Sequence, residues 1–386
     1  MHTLDAILDA TVAAQDAVGV VACAINNNGL TYLGAHGHLD READVAMPAN
    51  ALFYIASMTK AITSLAALQC VERGELKLDS AISEVLPILA LAPVLKGYDA
   101  HGAPILSPAK SPITLRQLLT HTAGLGYTTW NAELFDYRQR FPDDAPIAGP
   151  TLRLSAPLAH EPGTRWEYST STDFVGLAVE AVTGLRLGEY FEQFIFAPLA
   201  MRDSFYVPGA AHMPRVAVRY LRDGDGALQR EPNQDINPSA PHGGGGGLYS
   251  TATDYALFLS ALLALGTGKS DAASLIGADA WRMMRTNQIG NLTAGRLPSA
   301  EPPRSHSVNF MAEHQPGFGL GFLINASASP NARGANSLAW AGLYNSYFWL
   351  DPGNGLGGAL FTQVLPFADP RILARFAAFE AAVYAR

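Results

Sequence analysis

The segment Ile55-Ala-Ser-Met-Thr-Lys60 sets a serine three positions ahead of a lysine. On a helix, positions i and i+3 share a face with Cβ atoms about 5–6 Å apart, so Ser57 and Lys60 address the same space. A serine hydroxyl is a weak nucleophile until a neighbouring base takes its proton. An amine kept neutral by burial or by nearby positive charge can be that base, and the N–H groups at a helix start can hold an oxyanion. The same tetrapeptide also has a plain structural reading, because serine caps helices and lysine suits their surfaces. Four residues leave both readings open.

Three further stretches carry residues of interest. In EPGTRWEYSTSTDFVGL (161–177), Tyr168 follows a Pro-Gly turn and immediately precedes a helical run. HTAGLG (121–126) ends another helix in a glycine-rich turn. WAGLYNSYFWLDP (340–352) sets Ala341 and Gly342 inside an aromatic strand, as suits a sheet edge that a ligand must approach closely. Taken singly, Tyr168 reads equally well as a core residue and Gly342 as a bulge.

Taken together and in this order, these blocks resemble the serine β-lactamase and penicillin-recognising superfamily, specifically its class C-like carboxylesterases, the family VIII esterases. The resemblance spans nearly the whole chain and includes FYIASMTKAITSLAALQCVERGELKLD, LRQLLTHTAGL, HEPGTRWEYS, FIFAPLAMRDSFY and GGGGGLYSTATDYALFL. It implies that Ser57 is the acyl-accepting nucleophile, Lys60 its proton partner and Tyr168 the second-motif tyrosine that shares proton transfer. Which of Lys60 and Tyr168 is the acylation base stays open. The resemblance further implies an oxyanion hole from the backbone N–H groups of Ser57 and Leu343. The implied substrate pocket holds Trp340, Ala341, Gly342, Thr170, Tyr127 and Tyr344, with no cofactor and no metal.

Two departures bear on substrate. The Tyr-x-Asn of class C β-lactamases reads Tyr168-Ser169-Thr170 here, and their Lys-Thr-Gly reads Trp340-Ala341-Gly342. A charge-assisted hydrogen bond in a dry cleft is worth about 1.5–3 kcal/mol, and an indole supplies apolar area instead. The expected reaction is therefore hydrolysis of small uncharged carboxylic esters through a Ser57 acyl-enzyme. An acyltransferase, a weak β-lactamase or a D-amino acid peptidase would use the same residues, and a non-catalytic ligand-binding or sensor protein is the reading from another class.

The elements that must position these residues follow from patterning. Residues 4–16 read as an amphipathic helix, and 18–25 and 30–35 as strands joined by an Asn-Gly hairpin signal. A helix over 57–73 ends at Gly74. In the middle, Asp79 is expected to cap a short helix and Thr114 with Gln117 forms a capping-box pattern, with helices over 173–183 and 188–196. Strand-like runs at 318–325, 338–350 and 356–364 precede a last helix at 369–384. The expected architecture is α/β (α+β) and two-lobed. A five-stranded antiparallel sheet flanked by the terminal helices (1–78 and 245–386) carries a mainly helical inserted lobe (79–244), with the site in the cleft between them.

Composition bounds the partners. The net charge of −8 comes without any basic run, which excludes nucleic acid and anionic membrane as natural partners. The N-terminus has no secretory pattern and no window reaches the roughly 18 apolar residues of a membrane span, so a cytoplasmic location is expected. Oligomeric state is not legible. Cys23 and Cys70 read as buried reduced thiols. GTGKS (266–270) follows a helix rather than a strand and lacks the first phosphate-loop glycine. His36 and His38 have no third ligand at metal spacing, no Gly-x-Ser-x-Gly elbow occurs, and the five glycines at 243–247 read as a structural turn with some mobility.

Overall fold

The computed structural model describes residues 3–142, 147–148, 153–154, 156–232, 236, 240–265, 275–311, 313, 315–329 and 332–385. The GTGKS segment lies outside the described residues. The chain opens with helix α1 (Thr3–Ala13), then strands β1 (Gly19–Asn26) and β2 (Gly29–Asp40), paired antiparallel. Helix α2 (Thr59–Glu72) follows one 3-10 turn, Ala56–Met58, and ends before Gly74 in the left-handed region at φ +75°. In the middle come a hairpin (Pro93–Tyr98 with Pro104–Pro108), α3 (Leu115–Leu119) and α4 (Ser171–Thr183). The last part supplies α5 (Ala252–Leu265), β3 (Leu338–Gly342), β4 (Ser346–Asp351), β5 (Leu356–Phe361) and α6 (Pro370–Tyr384).

The principal sheet runs β3-β4-β5-β1-β2, antiparallel throughout, so strands from the two ends of the chain lie side by side. It is larger than the expected five strands. Two-residue strands at Gly317–Phe318 and Leu323–Ile324 extend one edge and Val45–Ala46 the other, making eight. The run 318–325 is thus not a single strand, because Gly321 at φ +100° turns the chain between its halves. The run 338–350 is likewise two strands, folded back at Leu343–Asn345, with Asn345 at φ +58°.

Side-chain alternation along β4 divides the core. Tyr347 and Trp349 face one side and meet Phe376 of α6 (ring centroids 5.1 and 5.6 Å), while Phe348 faces the other and meets Tyr255 of α5 (5.3 Å). The sheet is covered on both faces, which explains why β1 is buried along almost its entire length. Both cysteines are buried and free, and burial pushes the Cys23 thiol up to about 12. No helix among the described residues is long and apolar enough to cross a membrane.

Local signals differ in how well they survive folding. The Thr114–Gln117 capping box is present, with Thr114 Oγ1 accepting from Gln117 N at 3.2 Å. Asp79 does not cap: the short turn at Ile82–Glu84 has Ala81 before it, and Asp79 instead accepts from Arg116 Nε (2.6 Å) and Nη2 (2.8 Å). The helix expected at 188–196 is α-helical over Leu187–Phe191 and widens to a π turn over Glu192–Phe196.

A buried pair ties the last helix to the rest. Asp369 caps α6 through Arg371 N (2.8 Å) and accepts from Arg222 Nε (2.5 Å), while Arg222 Nη2 donates to Asp16 O (2.5 Å). The two side chains are 8% and 1% exposed. Removing one partner of such a pair strands a buried charge, at a cost of about 3–5 kcal/mol. Urea denaturation of Asp369→Ala is expected to show a loss of that size; a change below about 1 kcal/mol, the range of an exposed pair, would contradict the assignment.

Candidate active site

Ser57 does not cap α2. Its turn is preceded by Ile55 with no side-chain cap, and α2 starts one residue after Met58. Ala56, immediately before it, has φ +45°. A non-glycine residue there stores about 1–3 kcal/mol of strain, which the surroundings must hold. They do so from several sides: Ile55 N donates to Leu248 O (2.9 Å), Tyr255 Oη to Met58 O (3.1 Å) and Gln363 Nε2 to Tyr54 O (3.1 Å). The serine is thereby presented on a fixed bend, half-exposed.

Lys60 is only 2% exposed. Its Nζ lies 3.1 Å from Ser57 Oγ, 3.1 Å from Tyr127 Oη and 2.6 Å from Gly245 O. Three oxygens thus surround the nitrogen, enough for every N–H of an ammonium, and in the neutral amine form its lone pair can face Ser57 Oγ. The nitrogen also sits 4.8 Å from the ring centroid of Tyr168 and 5.3 Å from that of Tyr127. The expected pairing of Ser57 with Lys60 is therefore present as a direct contact.

Tyr168 and Tyr127 reach the lysine together because their loops are zipped. Glu167 N donates to His121 O (2.9 Å), Gly163 N to Thr122 O (2.7 Å) and Ala159 N to Gly124 O (2.7 Å). Gly124 has φ +91°, and a Cβ there would lie 2.3 Å from His160 O. The HTAGLG and EPGTRWEYS blocks are thus two sides of one loop contact, with the Tyr127 and Tyr168 rings 5.2 Å apart. The Tyr168 oxygen accepts from Trp340 Nε1 at 3.3 Å. Burial, reinforced by Asp173, holds the Tyr127 phenol well above its ordinary value, so it stays neutral.

The glycine run is a packing device. A Cβ on Gly244 would lie 2.3 Å from Thr172 O, and one on Gly245 2.9 Å from an Asp173 carboxylate oxygen. Only bare backbone passes α4 closely enough for Gly244 O to accept from Thr63 Oγ1 (2.7 Å) and Gly245 O from Lys60. Asp173 holds the run through Gly245 N (2.8 Å), and burial pushes its carboxyl up against the opposing pull of Lys60. Gly342 has a parallel role: a Cβ there would lie 2.5 Å from Ile55 O, so its absence lets β3 approach the Ser57 turn. The Leu343 N–H follows, beyond the last paired residue of β3.

Ser57 opens into a cavity of about 390 Å³ lined by Tyr54, Tyr127, Thr129, Trp130, Asp173, Arg304, Leu343 and the glycine run. Of the six implied pocket residues Tyr127 lines it, and Leu343, implied as an oxyanion donor, lines it as well. Trp340 and Ala341 do not: Trp340 stands behind Tyr168, and both line a separate cavity of about 300 Å³ toward α6. Thr170 precedes α4 and does not line the cavity. Tyr344 is turned away, donating to Glu231 (3.0 Å) with Arg219 over its ring. Pattern reading overlooks Tyr54, Asp173, Arg304 and the Gly245 carbonyl. Only the glycines gave a usable signal, as a request for close backbone approach.

A beta-lactamase family model matches residues 4–383. The chain belongs to the beta-lactamase family. It is 32% identical over 396 residues to Esterase EstB of Burkholderia gladioli, covering 93% of this chain and 89% of that protein. It is 30% identical over 392 residues to the Lovastatin esterase of Penicillium rubens, covering 96% and 95%. Among solved structures it resembles unliganded Simvastatin Synthase (LovD) from Aspergillus terreus, with a TM-score of 0.82, 26% identity, and coverage of 99% and 97%. This beta-lactamase-family fold accounts for the shared sheet and helices.

His121 lies beneath the site, with φ +57°, its Nδ1 3.0 Å from Ser169 Oγ and its ring 5.0 Å from that of Tyr168. Burial first, and the Lys60 charge second, hold it well below the ordinary value of 6.5. It is neutral in the fold, whereas the unfolded chain protonates it below about pH 6.5. Its contribution is therefore intact above that pH and lost as pH falls through it, by up to ~1.4 kcal/mol per unit. Comparing denaturation of wild type and His121→Gln between pH 5 and 7.5 should show a shallower acid loss in the variant. Parallel curves would reject a neutral buried His121.

Proposed function

We propose that this chain is a cytoplasmic, cofactor-free serine carboxylesterase that cleaves small carboxylic esters through an acyl-enzyme on Ser57. The observation that carries this is the Lys60 Nζ contact with Ser57 Oγ at 3.1 Å, on a strained bend that opens into a cavity. The resemblance to two proteins named as esterases supports the same reaction class. Ser57 Oγ attacks the ester carbonyl as its proton passes to Lys60 in its neutral amine form, whose nitrogen has the Tyr168 ring beside it. The tetrahedral oxyanion is received by the N–H groups of Ser57 and Leu343. The proton then passes to the departing alcohol, and water repeats the sequence on the acyl-serine to release the acid. Tyr127, held neutral, is a hydrogen-bonding partner of Lys60 rather than a base.

In this reading the cleft lies between a lobe built from both chain ends and a lobe built from the middle, and the partner is a small molecule. The Trp340-Ala341-Gly342 stretch offers no cation to the reacting end of the substrate, which favours an uncharged acyl group there. Acyl transfer to an alcohol is the second reading, favoured by the likeness to Simvastatin Synthase; it differs only in what attacks the acyl-serine.

The test is hydrolysis of 4-nitrophenyl butyrate with intact-mass detection of the acylated protein. Ser57→Ala is expected to abolish both turnover and the mass adduct while leaving the circular dichroism spectrum unchanged. Tyr168→Phe should lower kcat about 10²–10⁴-fold, the usual contribution of a proton-transfer group. Full turnover in folded Ser57→Ala would overturn the assignment. Ester product in the presence of added alcohol would move the balance to transfer.

A further inference from the structure

We propose that Arg304 is the receptor for an anionic group carried by the substrate, so that the preferred ester bears a carboxylate away from its reacting carbonyl. The inference rests on the esterase reading and deepens it. Arg304 is exposed, lines the mouth of the Ser57 cavity, and among the described residues its guanidinium has no hydrogen-bond or ion-pair partner. Many other arginines of this chain are committed to carboxylates, as Arg215 is to Asp203 and Arg230 to Asp40.

The segment that carries Arg304 is fastened to the cavity wall. Ala300 N donates to Thr129 O (2.8 Å), Thr129 Oγ1 to Glu301 Oε2 (2.5 Å), Trp130 Nε1 to Ser305 Oγ (2.9 Å) and Phe367 N to Arg304 O (3.0 Å). Thr129 and Trp130 are themselves cavity residues. The side chain therefore leaves from a fixed base beside the serine. The nearest acid along the segment, Glu301, is occupied by Thr129. The other charge lining the cavity, Asp173, is engaged by Gly245 N. What remains at the mouth is an exposed cation with no ion-pair partner among the described residues, and its charge reaches inward, opposing the upward shift of the Tyr54 and Tyr127 phenols.

A guanidinium presents paired N–H donors that match a carboxylate. The positive charge missing at Trp340 is thus supplied from a different wall, by an exposed side chain placed to meet a substituent of the substrate.

The experiment compares two matched pairs of esters on wild type and Arg304→Gln. One pair places the charge on the acyl side, mono(4-nitrophenyl) adipate against 4-nitrophenyl methyl adipate; the other places it on the alcohol side, 3-acetoxybenzoate against its methyl ester. In at least one pair, Arg304→Gln is expected to lower kcat/KM roughly tenfold for the anionic ester, mainly through KM, and less than about twofold for the neutral one. Added salt should erode the wild-type preference. Equal effects of the substitution on both members of both pairs would overturn the role of Arg304 while leaving the esterase reading intact. Wild-type protein inert toward all four esters and toward 4-nitrophenyl butyrate would overturn the esterase reading, and this inference with it.

Discussion

A lysine taken out of water must find an acceptor for each of its protons, because an unpaired buried charge costs several kcal/mol. Lys60 meets that demand with three oxygens: Ser57 in the turn just before its helix, and, from distant parts of the chain, Tyr127 after the HTAGLG turn and Gly245 in the glycine run. Satisfying one cation therefore fixes two distant loops against the start of α2. The substitution-intolerant glycines follow from the same demand, since only backbone without Cβ brings the Gly244 and Gly245 carbonyls against α2. Asp173 completes the arrangement from behind by holding Gly245 N.

Strain and close approach concentrate around the serine. Ala56 is held at φ +45°, and Gly342 lets β3 come up against Ile55 O. Neither is a comfortable arrangement in isolation, and both are held by the sheet and by α5. The large aromatic core between β4, α5 and α6 supplies that rigidity, as does the buried Arg222–Asp369 pair that locks α6 to the N-terminal segment.

The electrostatics of the cavity separate its depth from its mouth. Inside, Lys60 is consumed by its own ligands and Tyr127 is kept neutral. At the mouth, Arg304 is exposed and, among the described residues, without a hydrogen-bond or ion-pair partner. Trp340 acts on the site through the oxygen of Tyr168 rather than by touching the cavity. Tyr344, two residues beyond Gly342, belongs instead to a cluster with Arg219 and Glu231.

Local pattern determined much of this protein. The hairpin of β1 and β2, the capping box of Thr114 and Gln117, the helix after Ser57, and the Ser57–Lys60 pair itself are all short-range features, dictated by turn chemistry and by the i, i+3 geometry of a helix. The ordered motif blocks also fixed the family. Three matters were decided only by tertiary structure, because each depends on which surface a side chain meets after the ends of the chain close into one sheet. Residues 338–350 fold back as two strands where sequence reads one hydrophobic run, since a run of buried residues has no period that marks a turn. Trp340 and Tyr344 point away from the cavity although they flank the Gly342–Leu343 segment, because Trp340 Nε1 reaches Tyr168 and Tyr344, in the fold-back turn, reaches Glu231, both distant in sequence. Arg304 reaches the serine's cavity from a loop nearly 250 positions away, a proximity created by hydrogen bonds to Thr129 and Trp130 that no local pattern encodes.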